Sequence, residues 1–158
     1  MKLPKKILLG LAVVFVVIQF VRPARNLAAG PGPADLLVLH PAPPAVAQLL
    51  AVACYDCHSN HTRYPWYAEI QPVAWWLDSH IRDAKDAVNF SEVGSYPADE
   101  AAKKLGECAD EIDDHSMPLS SYTLIHADAR LTDPQRRLLS DWFNALSTQL
   151  AEPAGKKP

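Results

Sequence analysis

Residues 54–58 of this 158-residue chain read Cys54-Tyr55-Asp56-Cys57-His58, and this stretch determines what the surrounding fold has to enclose. Two cysteines three positions apart, with histidine directly after the second, form the arrangement that attaches a haem covalently. The two thiols add to the two vinyl groups of the haem, and His58 then lies beneath the iron as its proximal ligand. The sequence therefore predicts one covalent c-type haem bound to Cys54, Cys57 and His58.

Two other chemistries use the same residue types. A zinc site would need about four ligands, which Cys54, Cys57, Cys108 and His115 would supply. A redox pair or simple disulfide at Cys54 and Cys57 is less favoured, because no β-rich stretch precedes Cys54 to form the usual strand-to-helix turn. Cys108 is left over once haem is attached, and its place on an apolar helix face predicts a buried free thiol.

Met117 is the best candidate for the distal iron ligand. It is the only methionine besides Met1 and lies in the polar stretch Asp113 to Pro118, which has no need of a methionine for a core. Pro118 favours an extended conformation at Met117, so that its thioether can approach the haem face opposite His58. The rival ligands are His115, His126, His61 and His80.

Further polar residues are candidates for haem propionate or pocket contacts, and each is equally suited to fixing a loop. They are Arg63, Tyr64, Tyr122, His126 and Arg130.

Apolar residues at helical spacing predict an all-α domain with long loops. The expected helices contain Val46 to Ala53, Val73 to Val88, Ala101 to Ile112 and Leu138 to Leu150. Pro72 is expected to open the second helix, and Thr132 with Gln135 predicts a capping box at the start of the last. The folded haem domain is expected over residues 45–152.

The N-terminal part of the chain predicts a membrane anchor. Residues 7–21 contain one polar side chain, Gln19, and are flanked by Lys5, Lys6 and Arg22. An uncleaved single-pass anchor over residues 1–22 is favoured over a cleaved signal, because the only candidate cleavage site has Asn26 where a small residue is preferred. Residues 23–44 hold six prolines and predict an extended linker, and residues 153–158 predict a basic tail.

The charge distribution excludes some partners and suggests others. Residues 23–158 hold 11 basic and 18 acidic residues, which disfavours nucleic-acid binding. An acidic run suits docking of a basic redox protein; it comprises Glu107, Asp110, Glu111, Asp113 and Asp114.

The chain also resembles the bacterial haem-binding domain family of membrane-anchored monohaem cytochromes c. The resemblance is carried by Cys54 to Tyr67, Pro72, Trp75, His80, Asn89-Phe90-Ser91, Met117-Pro118, Tyr122, His126, Ala129 to Thr132, Trp142 and the anchor end Gln19 to Pro23. It implies a helical c-type haem domain with His58 as proximal and Met117 as distal ligand.

Together these features predict an electron-transfer cytochrome rather than an enzyme, attached to the cytoplasmic membrane with its haem domain in the periplasm. One alternative is a haem peroxidase or small-ligand sensor with a displaceable sixth ligand, for which His115 or His126 would supply an acid or base. The other is a zinc- or disulfide-stabilised interaction module, in which Cys54 and Cys57 are structural.

Overall fold

A computed structural model of the chain describes residues 4–152, and this part is built from helices joined by loops. Its α-helices are α1 (Lys5–Ile18), α2 (Leu36–Leu39), α3 (Pro44–Ala53), α4 (Tyr55–His58), α5 (Val73–Ala87), α6 (Ala98–Asp113), α7 (Ser120–Thr123) and α8 (Asp133–Ala151). Short 3-10 helices span Trp66–Glu69, Phe90–Ser95 and Ala127–Ala129. Within residues 4–152 no strand forms, and Leu27 and His61 make one isolated antiparallel bridge. The all-α prediction is confirmed.

The helices form where the sequence carries local start signals. Pro44 lies in the first turn of α3, and Pro72 immediately precedes α5. The start of α8 has the predicted capping box, in which the Thr132 N–H donates to Gln135 Oε1 at 2.8 Å. These residues satisfy or remove backbone donors that a helix leaves unpaired in its first turn.

The main core lies between the antiparallel helices α6 and α8 and the buried face of α3. Leu105 from α6, Leu139 and Phe143 from α8 and Leu50 from α3 are buried there. Phe90 joins this core and stacks on Phe143, with 5.9 Å between the ring centroids. A smaller cluster around Leu77 and Ile81 packs α5 against the 3-10 helix Trp66–Glu69.

Residues 23–44 are not a free linker, which corrects the prediction from their proline content. Asp35 and Leu36 are buried, and the Gly94 N–H donates to the Ala34 carbonyl at 2.9 Å. The Asn26 side chain donates to the Ser59 carbonyl at 2.7 Å. Prolines restrict the backbone but do not prevent it from packing, and this segment packs against the domain.

The N-terminal apolar stretch forms α1, and none of its side chains is buried. Its 14 residues rise about 21 Å at roughly 1.5 Å per residue, against a hydrocarbon core of about 30 Å. Among the described residues, no helix is both long enough and apolar enough to cross a membrane. The predicted basic tail lies outside the described residues.

Candidate functional site

The Cys-x-x-Cys-His motif lies where α3 passes into the single turn α4. The Cys54 N–H donates to the Leu50 carbonyl at 3.0 Å, and the His58 N–H donates to the Cys54 carbonyl at 3.0 Å. In helical geometry, residues three and four apart lie on the same side of the turn. Cys54, Cys57 and His58 are therefore grouped by local structure alone.

His58 is held with one ring nitrogen engaged and the other left available. Its Nδ1 lies 3.1 Å from the Val88 carbonyl oxygen, so Nδ1 carries the proton and Nε2 keeps its lone pair. The Phe90 ring packs beside the imidazole, with 5.6 Å between the ring centroids. Burial lowers the pKa of His58, which favours the neutral imidazole that a metal requires.

Adjoining cavities surround the motif, and two of them are lined by both His58 and Met117. One, of about 380 Å³, also has Cys54, Phe90 and Phe143 in its wall. The other, of about 190 Å³, has Cys57 in its wall. A third cavity, of about 300 Å³, continues on the Cys57 side. Their largely apolar walls are typical of cofactor sites.

Met117 reaches this site from the loop between α6 and α7. Its side chain is half-buried, its N–H donates to the Glu111 carbonyl at 3.0 Å, and Arg136 donates to its carbonyl at 2.7 Å. It is the only methionine among residues 4–152.

The four histidines considered as rivals to Met117 have other surroundings. His61 and His115 are exposed, with Nδ1 2.7 Å from the Ala28 carbonyl and 2.9 Å from the Asp113 carbonyl respectively. His126 stacks on Tyr122, with 4.1 Å between the ring centroids. Only His80 of the four lines the smaller cavity beside His58, and its Nδ1 lies 2.9 Å from the Trp76 carbonyl.

Of the five residues considered for propionate or pocket contacts, Tyr122 is the one that lines a cavity beside His58. Arg63 instead forms an ion pair with Asp56, and the Tyr122 hydroxyl donates to the same carboxylate at 2.9 Å.

The other three candidates are also engaged elsewhere. The Tyr64 hydroxyl accepts from the Asn26 N–H at 2.8 Å. Arg130 is exposed and donates to the carbonyls of Thr123 and Leu124. The His126 Nε2 lies 3.5 Å from the Tyr67 hydroxyl.

Asp56, the residue between the two cysteines, is the centre of a polar network that sequence reasoning missed. Its carboxylate is buried and accepts four hydrogen bonds: from the Arg63 N–H, Nε and Nη2, and from the Tyr122 hydroxyl. The burial of an acid inside the motif gave no signal in the sequence, because its partners come from the following loop and from α7. The network fixes the turn that presents Cys57 and His58.

Lys104 is a second residue that sequence reasoning missed. It lines the larger cavity, with only 19% of its side chain exposed, and donates to the Ala87 carbonyl. A mostly buried cation beside His58 suits an anionic group of a cofactor.

The three cysteines are free in the structure, and Cys108 lines the same cavity as Cys54. Burial raises the pKa of Cys54 to about 12 and that of Cys57 to about 11, and it also raises the pKa of Cys108. All three are therefore neutral thiols near pH 7. Within residues 4–152, no group of three or more histidine, cysteine or acidic side chains is placed to hold a metal ion. The alternative zinc site is accordingly not supported.

A small helical domain with apolar cavities between a histidine, two thiols and a methionine defines a haem-binding class of protein. Comparison with known proteins agrees: residues 13–145 match the family model described as a haem-binding domain, and the chain belongs to this family. No curated protein and no solved structure matches the chain.

The residues of this structure fit a haem. Two thiols lie three residues apart on one turn, and apolar side chains line the adjoining cavities. Within residues 4–152, the Nε2 of His58 has no hydrogen-bond partner. When bound there, a haem iron supplies reversible one-electron chemistry.

Proposed function

We propose that this protein is a monohaem c-type cytochrome that carries single electrons, and that it is not an enzyme. The observation that carries this proposal is that His58 and Met117 line the same two cavities, with Cys54 and Cys57 in their walls. A nitrogen and a thioether ligand together leave no open coordination position, which suits electron transfer and disfavours chemistry on a small molecule.

Cys54 and Cys57 attach the haem in this proposal. Each thiol would add across one vinyl group of a bound haem, with sulfur bonding to one carbon and the thiol proton going to the other. The addition needs no external oxidant or reductant. Burial raises the pKa of both thiols, so they are neutral near pH 7 in the folded chain before haem is attached.

The remaining residues position the ligands and exclude water. The Val88 carbonyl fixes the orientation of the His58 imidazole. Phe90, Ile112 and Phe143 provide an apolar wall, which favours the less charged ferrous state and keeps solvent away. Lys104 is the residue suited to pair with a propionate.

We place the protein at the periplasmic face of the cytoplasmic membrane. Haem attachment to Cys54 and Cys57 requires export, and α1 is an apolar helix whose exposed side chains are unfavourable in water. In alkaline extraction of cell membranes, the chain should remain in the pellet. Complete release into the supernatant would contradict membrane attachment without affecting the haem proposal.

The proposed partner is a redox protein with a basic surface. Glu107 and Glu111 line the larger cavity, and the acidic run continues along exposed positions to Asp114. Charge at the rim of a docking surface acts mainly on the association rate. Glu107→Gln/Glu111→Gln should therefore slow electron transfer from a basic donor protein at low salt, and the difference should disappear at high salt.

Covalent attachment is tested by haem staining of a denaturing gel. The full chain is expressed with a c-type haem maturation system, beside Cys54→Ala/Cys57→Ala as control. Stain should remain with the wild type and be absent from the variant. An unstained band of well-expressed, exported wild type would contradict the proposal.

Distal ligation is tested by Met117→Leu, which keeps the apolar volume but lacks the thioether. The ferrous wild type should be low-spin and should resist carbon monoxide, whereas the variant should bind it readily. A low-spin variant that resists carbon monoxide would overturn the assignment of Met117. Ready binding by the wild type would favour a small-ligand sensor.

A further inference from the structure

The loop that carries Met117 is tied to α8 through one side chain. Arg136 lies in the first two turns of α8 and is half-buried. Its Nη1 donates to the Met117 carbonyl at 2.7 Å and to the Ile112 carbonyl at 3.1 Å. One guanidinium nitrogen therefore connects the C-terminal turn of α6, the methionine loop and α8.

The backbone of Met117 is held on both of its polar sides. Its N–H donates to the Glu111 carbonyl at 3.0 Å, and its carbonyl accepts from Arg136. His115 has a left-handed backbone, with φ 61°, which turns the chain back after α6 so that the Met117 N–H can reach Glu111. The position of the Met117 side chain thus depends on these two hydrogen bonds.

The charge of Arg136 suits this place. The last carbonyls of a helix lack intrahelical partners and carry a partial negative charge, so that a cation is favourable there. The capping box at Thr132 fixes the start of α8, and the Arg136 N–H donates to the Thr132 carbonyl at 2.9 Å. Arg136 therefore belongs to the well-fixed first part of α8, and from there its side chain holds the loop that carries Met117.

We propose that Arg136 is a positioning residue for the distal ligand: it holds the Met117 backbone so that the thioether stays over the haem site and resists displacement. This inference rests on the proposed function, in which Met117 is that ligand. Arg136 does not contact the reacting atoms and acts only through Met117.

The test uses full-length haem-loaded protein and measures carbon monoxide binding to the ferrous form, together with the reduction potential. Arg136→Ala should raise the carbon monoxide association constant roughly ten- to a hundredfold, which corresponds to one charge-assisted hydrogen bond. It should also lower the potential, because a weakened thioether bond stabilises the ferrous state less. Arg136→Lys keeps a cation and should show a smaller change in the same direction.

Two control variants separate positioning from general stability. Arg137→Ala changes the exposed neighbour on α8. Ser147→Ala removes a different hydrogen bond between α6 and α8, which runs from Ser147 Oγ to the Ala102 carbonyl at 2.7 Å. This hydrogen bond lies far from Met117. Neither should change carbon monoxide binding.

The inference is overturned if Arg136→Ala binds carbon monoxide as the wild type does, or if Ser147→Ala raises binding equally. If Arg136→Ala does not accumulate, Arg136→Lys is measured instead. Carbon monoxide binding by Arg136→Lys that equals that of the wild type overturns the inference. A Met117→Leu variant measured in parallel keeps the two proposals distinct. If Met117→Leu resists carbon monoxide as the wild type does, the assignment of Met117 as the ligand fails. If Met117→Leu binds carbon monoxide readily but Arg136→Ala binds it as the wild type does, only the role of Arg136 is rejected.

Discussion

Replacement of Arg63 by methionine should destabilise the protein through the carboxylate that it leaves behind. Asp56 is 9% exposed, and Arg63→Met removes two of its four donors together with its countercharge. Breaking a fully buried ion pair costs about 3–5 kcal/mol. Because 58% of the Arg63 side chain is exposed, solvent screening reduces this figure, and we expect about 2 kcal/mol. Tyr122→Phe removes one donor to the same charge and should cost about 1.5 kcal/mol.

The assay is urea unfolding of the ferric haem-loaded protein, followed by circular dichroism and haem absorption. Arg63→Met/Asp56→Leu should cost less than Arg63→Met alone, since no unpaired charge remains buried. Arg82→Met is the matched control: the Arg82–Asp78 pair is an i,i+4 pair with 69% of the Arg82 side chain exposed, and its loss should cost less than about 0.5 kcal/mol. Equal losses for Arg63→Met and Arg82→Met, or a double variant at least as unstable as Arg63→Met alone, would refute the role given to the Asp56 network.

Three further perturbations test other parts of the structure. Phe90→Ala should lower the free energy of unfolding, measured by urea unfolding, by about 3–5 kcal/mol. The reason is that Phe90 is 2% exposed and packs against three aromatic rings. A loss below about 1 kcal/mol would contradict this packing. Burial raises the pKa of Cys108 above its usual 9.0, so alkylation of the unfolded chain should be half-maximal near pH 9, whereas alkylation of Cys108 in the folded haem-loaded protein should still be accelerating above about pH 10. A half-maximal rate near pH 9 in the folded protein would show an accessible thiol. Arg25 and Arg22 lower the pKa of Glu69 below its usual 4.5. This ion-pair cluster therefore stabilises the fold above pH 4.5, and its stabilisation is lost as the pH falls through the lowered pKa of Glu69. An NMR titration of the Glu69 carboxyl group should show the low midpoint, and added salt should raise that midpoint.

The sequence predicted the long helices well because their signals are local. Pro72 before α5 and the Thr132–Gln135 capping box at α8 act within one turn of the chain. Apolar spacing then indicated which face of α8 is buried, and Leu139 and Phe143 are indeed in the core. Such features require no knowledge of distant residues.

The interpretation of residues 23–44 was wrong because composition does not report tertiary contacts. Proline predicts an extended backbone, whereas this segment contains a turn and the short helix α2. Its burial depends on distant partners: Asp35 accepts from the Tyr55 hydroxyl at 3.1 Å, and Asn26 bonds to Ser59 and Thr62. No short-range pattern encodes these pairs.

The sequence by itself determined the grouping of Cys54, Cys57 and His58, because one helical turn brings together residues three and four apart. It also singled out Met117 by its uniqueness and its polar surroundings. Only the tertiary structure decided that Met117 shares cavities with His58, 59 residues earlier in the chain. It also decided that Lys104 lines one of these cavities and that Arg136 donates to the Met117 carbonyl. The physical reason is that chain geometry sets short spacings directly, whereas groups far apart in sequence meet only when α6 packs against α8 and buries the apolar residues between them.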